Sequence, residues 1–230
     1  MDYESYKAKL KASADRFAKD TEHHELTILR DDGLYRHLKF RKPEPSGSEY
    51  WFEIVTWPGK LSLTGDCDGF TFSRLEDMVG FFRSKAGWNQ GVNPGYWGEK
   101  VVAGREGVQG FSEELFRQLA AEHLAEAEGE YPGVTAAWSR HIDDQYSSLY
   151  GVEFEDGARE ALNDFEFLAK GRKEPFRFTD TWEWSFKDFD FWFLWACHAI
   201  SWGIEQYDIA KGSKAPRPVE AALVISGAVA

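Results

Sequence analysis

Residues 191–204, FWFLWACHAISWGI, constrain the fold more than any other stretch of the chain. Between Phe189 and Ile204 the segment is apolar on nearly every side, so as a helix it needs neighbours all round. At fourteen residues, including His198 and Ser201, it falls short of the roughly eighteen a membrane span requires, and it reads as a buried core helix. The whole helical segment is expected to run from about Asp180 to Lys211, with Gly212 as its stop. Material to wrap it is plentiful. The 10 Trp, 9 Tyr and 18 Phe make up 16% of 230 residues, which argues for a sizeable core and against disorder.

Upstream, residues 2–21 place Tyr3, Tyr6, Leu10, Ala14 and Phe17 at helical spacing, an amphipathic helix. Between Glu25 and Phe72 the period changes to that of strands. Asp31-Asp32-Gly33 marks a hairpin turn, Pro58-Gly59 a tight reversal, and residues 65–69 (GDCDG) another turn, so about five strands in an antiparallel meander are expected. Ser73 and Glu76 have capping-box spacing before a short helix carrying Met78, Val79 and Phe82. Residues 87–110 hold seven glycines and read as a long irregular loop. Helical patterns follow: Phe111, Leu115, Leu119 and Leu124 behind a Ser112 cap; Trp138, Ile142 and Tyr146; then Phe154, Ala158, Ala161, Leu162 and Phe165, closed by Gly171. The tail at 222–230 is small and apolar. No linker forces a boundary, so the expectation is one α+β domain over residues 1–230. It would divide into helix and sheet at 1–85, a loop at 86–110, and a mainly helical part at 111–230 around the aromatic helix.

No motif names a reaction, and no catalytic residue, cofactor or metal site is assigned. Asp66, Asp68 and Asp77 lack the EF-hand series and suit turns. His23, His24, His37 and His141 lack metal-ligand spacing. Two regions remain as ligand candidates. The loop offers Trp88, Asn93, Tyr96 and Trp97 to a ligand or partner. A pocket around His198, with Asp66 and Asp208, is the alternative, to be weighed against a core histidine satisfied by one hydrogen bond.

The net charge of −12 and sequence pI near 5.0 argue against gripping nucleic acid directly. Two acidic runs stand out, one with Glu122, Glu126, Glu128 and Glu130, the other with Glu153, Glu155, Asp156 and Glu160. Each is either a solvated helix face or an imitation of nucleic-acid charge aimed at a basic cleft on another protein. Two distant cysteines, Cys67 and Cys197, and a charged N-terminus without an apolar stretch point to the cytoplasm. Self-association stays open.

Two blocks carry a resemblance. Trp57-Pro58-Gly59-Lys60-Leu61 with Gly65-Asp66, continuing to Phe70-x-Phe72-Ser73-Arg74-Leu75-x-Asp77-Met78, is one. Glu183-Trp184-x-Phe186 with Phe193-x-Trp195-x-x-His198-Ala199-Ile200-x-Trp202-Gly203-Ile204-x-x-Tyr207-Asp208 is the other. Both resemble blocks in uncharacterised bacteriophage and prophage proteins without an assigned reaction. That resemblance implies a phage accessory protein in bacterial host cytoplasm, by analogy an antagonist of host defence, as anti-CRISPR proteins are. The expectation is therefore a binder of a basic host protein. A small-molecule or nucleotide binder, or an enzyme, built on residues 87–110 and His198 is the alternative.

Overall fold

The computed structural model describes residues 3–45, 47, 49–83, 91–146 and 151–212. These fall into two compact units. Unit 1 comprises the described residues up to Val108 and those from Phe189 onward, and unit 2 comprises Gln109–Asp188.

Unit 1 opens with α1 (Tyr3–Asp20) and continues into β1 (Glu25–Asp32), β2 (Tyr35–Arg41), β3 (Phe52–Trp57), β4 (Lys60–Gly65) and β5 (Phe70–Phe72). With β6 (Val101–Ala103) they form one six-stranded antiparallel sheet in sequence order. Alternation decides its faces. Leu38, Phe40, Phe52, Ile54, Leu61, Leu63, Phe70 and Phe72 point to one side and are fully buried, while His37, Lys39, Glu53 and Ser62 line the other. Pro58-Gly59 makes the expected reversal, Gly59 at φ +77°. The first turn is Gly33-Leu34 rather than Asp31-Asp32-Gly33, because Asp32 pairs with Tyr35 inside the ladder.

The aromatic helix α7 (Phe191–Ala210) crosses the buried face of the sheet, and α1 packs beside it. At Gly203 the helix approaches the sheet closely. A Cβ there would stand 2.7 Å from Ile54 Cδ1 and 3.1 Å from the Phe40 ring. Phe17 of α1 meets the Trp195 ring edge-on at 5.0 Å, and the Trp195 indole N–H donates to buried Asp20 at 3.3 Å. Gly212, at φ +74°, ends the helix as expected. Its start lies eleven residues later than Asp180: Asp190 caps it by accepting from Trp192 N, and residues 181–189 hold a 3-10 turn (Thr181–Glu183) and strand β8 (Lys187–Phe189).

The glycine-rich segment is less irregular than expected. Its described part contains α3 (Pro94–Gly98), β6 and a 3-10 turn (Arg105–Gly107). The short α2 (Met78–Arg83) is capped by Asp77, whose carboxylate accepts from Val79 N at 3.0 Å. Ser73 instead donates to Gly59 O and accepts from Lys60 Nζ, so the capping box does not form.

Unit 2 holds β7 (Gln109–Phe111), α4 (Glu113–Ala127), α5 (Val134–Gln145) and α6 (Glu155–Asp164) around a separate core. Ser112 caps α4 as expected, but the buried stripe is Phe116, Ala120 and Leu124. Trp138 and Ile142 of α5 and Ala158, Ala161 and Leu162 of α6 complete that core, with Phe165 and Phe186. Helix α6 ends at Asp164, seven residues before Gly171, because the chain then turns into a bridge between Phe167 and Phe176. Trp88 and the tail at 222–230 lie outside the described residues.

Candidate functional site

Charge is distributed unevenly along the chain. Residues 109–188 hold 18 Asp and Glu against 8 Lys and Arg, net −10, leaving only −2 of the total −12 for the rest. Helical phase puts part of this charge in solvent. The buried stripe of α4 leaves Glu114, Gln118, Glu122 and Glu126, spaced by four, on the opposite face, where Gln118 Nε2 donates to Glu122 at 2.8 Å. On α6 the buried Ala158, Ala161 and Leu162 leave Asp156, Glu160 and Asp164 exposed in the same way.

Of the eight acidic candidates, Glu122, Glu126, Glu153, Asp156 and Glu160 are exposed and outside the ion pairs and caps of the described residues, and Glu130 is exposed but paired. Glu128, Glu130 and Glu155 are engaged within the unit. Glu128 accepts from Gly133 N at 2.6 Å and from Thr135 N and Oγ1 at 3.1 and 2.6 Å. It thereby caps α5, whose own N-cap, Gly133, has no side chain to do so. The Thr135 hydroxyl and these amides hold its carboxyl below the usual range. Glu130 pairs with Arg172 at 3.0 Å and Glu155 with Arg159 at 2.8 Å. Of the exposed candidates, Glu122 and Glu126 form a ridge on α4 and Asp156 and Glu160 one on α6, with Glu153 just before α6.

The loop candidates separate. Asn93 Oδ1 accepts from Tyr96 N and starts α3. Trp97 is fully buried, edge-on to Phe82 at 4.6 Å, and belongs to the core of unit 1. Tyr96 alone of the described candidates presents a ring outward, with Lys100 Nζ 4.4 Å from its centre.

The pocket residues are not brought together. His198 lies inside the contact of α1 with α7, 5% exposed, its Nε2 2.9 Å from Ser13 Oγ. The Ser13 hydroxyl donates to Leu10 O, so His198 Nε2–H is the donor to Ser13. Burial pushes the imidazole down to about 4, which keeps it neutral at pH 7. Asp208, ten residues on and about 15 Å along the same helix, pairs bidentately with Arg83. Asp66 sits in an exposed turn. Among the described residues no three His, Cys, Asp or Glu side chains gather to hold a metal ion. His37 is paired with Glu53 and Asp77 with Arg36.

Unit 2 also has an open groove of about 480 Å³ lined by Arg140, His141, Asp164, Phe165 and Glu166. Its carboxylates are partly occupied: Asp164 accepts from Tyr146 and Glu166 pairs with Arg177. Trp182, at 75% exposure, was not singled out by the sequence patterns, and Phe154, expected on the apolar stripe of a helix, is 63% exposed. A signal against helix at Trp182 was present in the sequence. Trp182, Trp184 and Phe186 recur at a spacing of two, which does not keep one face of a helix, and they grade from exposed to buried.

No helix among the described residues is long and apolar enough to cross a membrane. No protein-family model matches this chain, and neither does a curated protein or a solved structure.

Proposed function

We propose that this protein works by binding, as an acidic antagonist whose unit 2 docks on the basic surface of a nucleic-acid-handling or defence protein of a bacterial host. One observation carries the reading: −10 of the −12 net charge lies in unit 2. Charge concentrated in this way sets up a local field that steers a basic partner and speeds encounter. An acidic helical surface seated in a nucleic-acid cleft would exclude the natural polyanion by occupancy and by repulsion. The host context rests on the resemblance of the two sequence blocks to phage proteins. The alternative pocket draws no support from the described residues, because Trp97 and His198 are both core side chains.

Competition tests the reading. The full chain is titrated into DNA complexes of a panel of purified defence nucleases, and bound DNA is followed by fluorescence anisotropy. DNA should be displaced from at least one nuclease, less effectively as salt rises. Failure to displace DNA from any of them at low salt, or displacement indifferent to salt, would contradict it.

A further inference from the structure

We infer that Trp182 is the anchor of the partner surface of unit 2, inserting its indole into an apolar slot on a protein whose surrounding surface is basic. This rests on the binding reading above and names the residue that would fix the complex.

Trp182 is 75% exposed, the most exposed large hydrophobic side chain among the described residues. The turn that carries it is nonetheless braced. The turn Thr181–Glu183 is closed by Glu183 N donating to Asp180 O at 3.0 Å and by Trp184 N donating to Thr181 O at 3.2 Å. Arg159 of α6 donates to Thr181 O and to Trp184 O, and Thr181 Oγ1 donates to Asn163. Arg159 is itself fixed by Glu155 and by the Phe186 ring, 4.9 Å away. A large ring on a pre-set turn binds without first ordering a loop, and buried Trp is among the strongest anchors at interfaces.

The surroundings select the occupant. Asp180 and Glu183 are exposed on the same turn. The turn lies along the Arg159 and Asn163 flank of α6, and the next face of that helix carries exposed Asp156 and Glu160. An apolar centre flanked by carboxylates fits a slot flanked by Arg and Lys. Nucleic acid, an anionic membrane and a second copy of the same −10 unit would all be repelled.

The full chain is tested by biolayer interferometry against two peptides of equal length and charge, one repeating Arg-Arg-Leu and the other Arg-Arg-Ser. The leucine peptide should leave wild type about tenfold more slowly than the serine peptide, a difference in off-rate as anchor contacts produce. Trp182→Ala should abolish that difference while leaving on-rates and their salt dependence unchanged. Ile209→Ala, truncating an exposed residue of unit 1, should behave as wild type. If Trp182→Ala keeps the tenfold difference, or if wild type shows none, the anchor is refuted while the charge reading stands. If neither peptide associates at low salt, the charge reading fails and the anchor with it. If wild type dimerises in sedimentation and Trp182→Ala does not, the occupant is a second copy and the proposal is overturned.

Discussion

Trp195 stands where α1, α7 and the sheet meet, 1% exposed, with Phe52 and Phe17 edge-on to its ring and Asp20 accepting from its indole. Truncation to Ala removes a large core side chain and leaves Asp20 one donor fewer, so Trp195→Ala should cost about 3–5 kcal/mol in urea unfolding. A loss below about 1 kcal/mol would mean that the site collapses around the gap. One turn further along, His198 gives unit 1 a pH response. Its folded value near 4 lies below the ordinary 6.5, so the unfolded chain takes up a proton that the folded chain refuses. The stability due to His198 is present above pH 6.5 and is lost as pH falls toward 4. Between pH 7 and 5, wild type should lose about 2 kcal/mol more than His198→Asn, which titrates no proton there. Parallel losses in the two proteins would place His198 in contact with water.

At the scale of elements, the seat of α7 on the sheet depends on Gly203. Ala usually stabilises a helix interior by about 0.5–1 kcal/mol relative to Gly. Here the added methyl would press on Ile54 and Phe40, both fully buried, and overpacking of this kind costs about 1–3 kcal/mol. Gly203→Ala should therefore lower the urea midpoint, and a rise would show that helix and sheet have room to separate. The same elements show what could be read from sequence. The meander was legible because alternation and the Pro58-Gly59 turn act locally, and α7 because residues 191–204 are apolar all round. Its true start was not, because Thr181–Glu183 and β8 break the helix without Pro or Gly. Phe154 keeps helical phase with Ala158 yet is exposed, because it lies at the N-cap, before the first turn of α6. At the candidate site, the two acidic runs were visible in composition. The withdrawal of Glu128 was not, since its carboxylate reaches across a turn to cap the next helix. The Glu155–Arg159 pair, at i and i+4, was readable in principle.

For the whole molecule, the decisive feature is charge gathered into unit 2 while the remainder is nearly neutral. Glu122, Glu126, Asp156 and Glu160 are the residues to reverse, because all four are exposed and none belongs to an ion pair or cap among the described residues. Changing them to Lys takes unit 2 from −10 to −2. Surface changes of this sort usually alter folding stability by no more than about 0.5 kcal/mol each, so the melting temperature checks that the fold survives. The most direct test measures plating of a phage on bacteria that carry the defence system, with the protein expressed in the host. Wild type should restore plaques and the folded quadruple variant should not. Its association with the purified defence protein should be slowed and should lose most of its salt dependence around 0.1 M, where the Debye length is about 10 Å. A folded quadruple variant that protects the phage as well as wild type, with the same on-rate and salt slope, would contradict the charge reading.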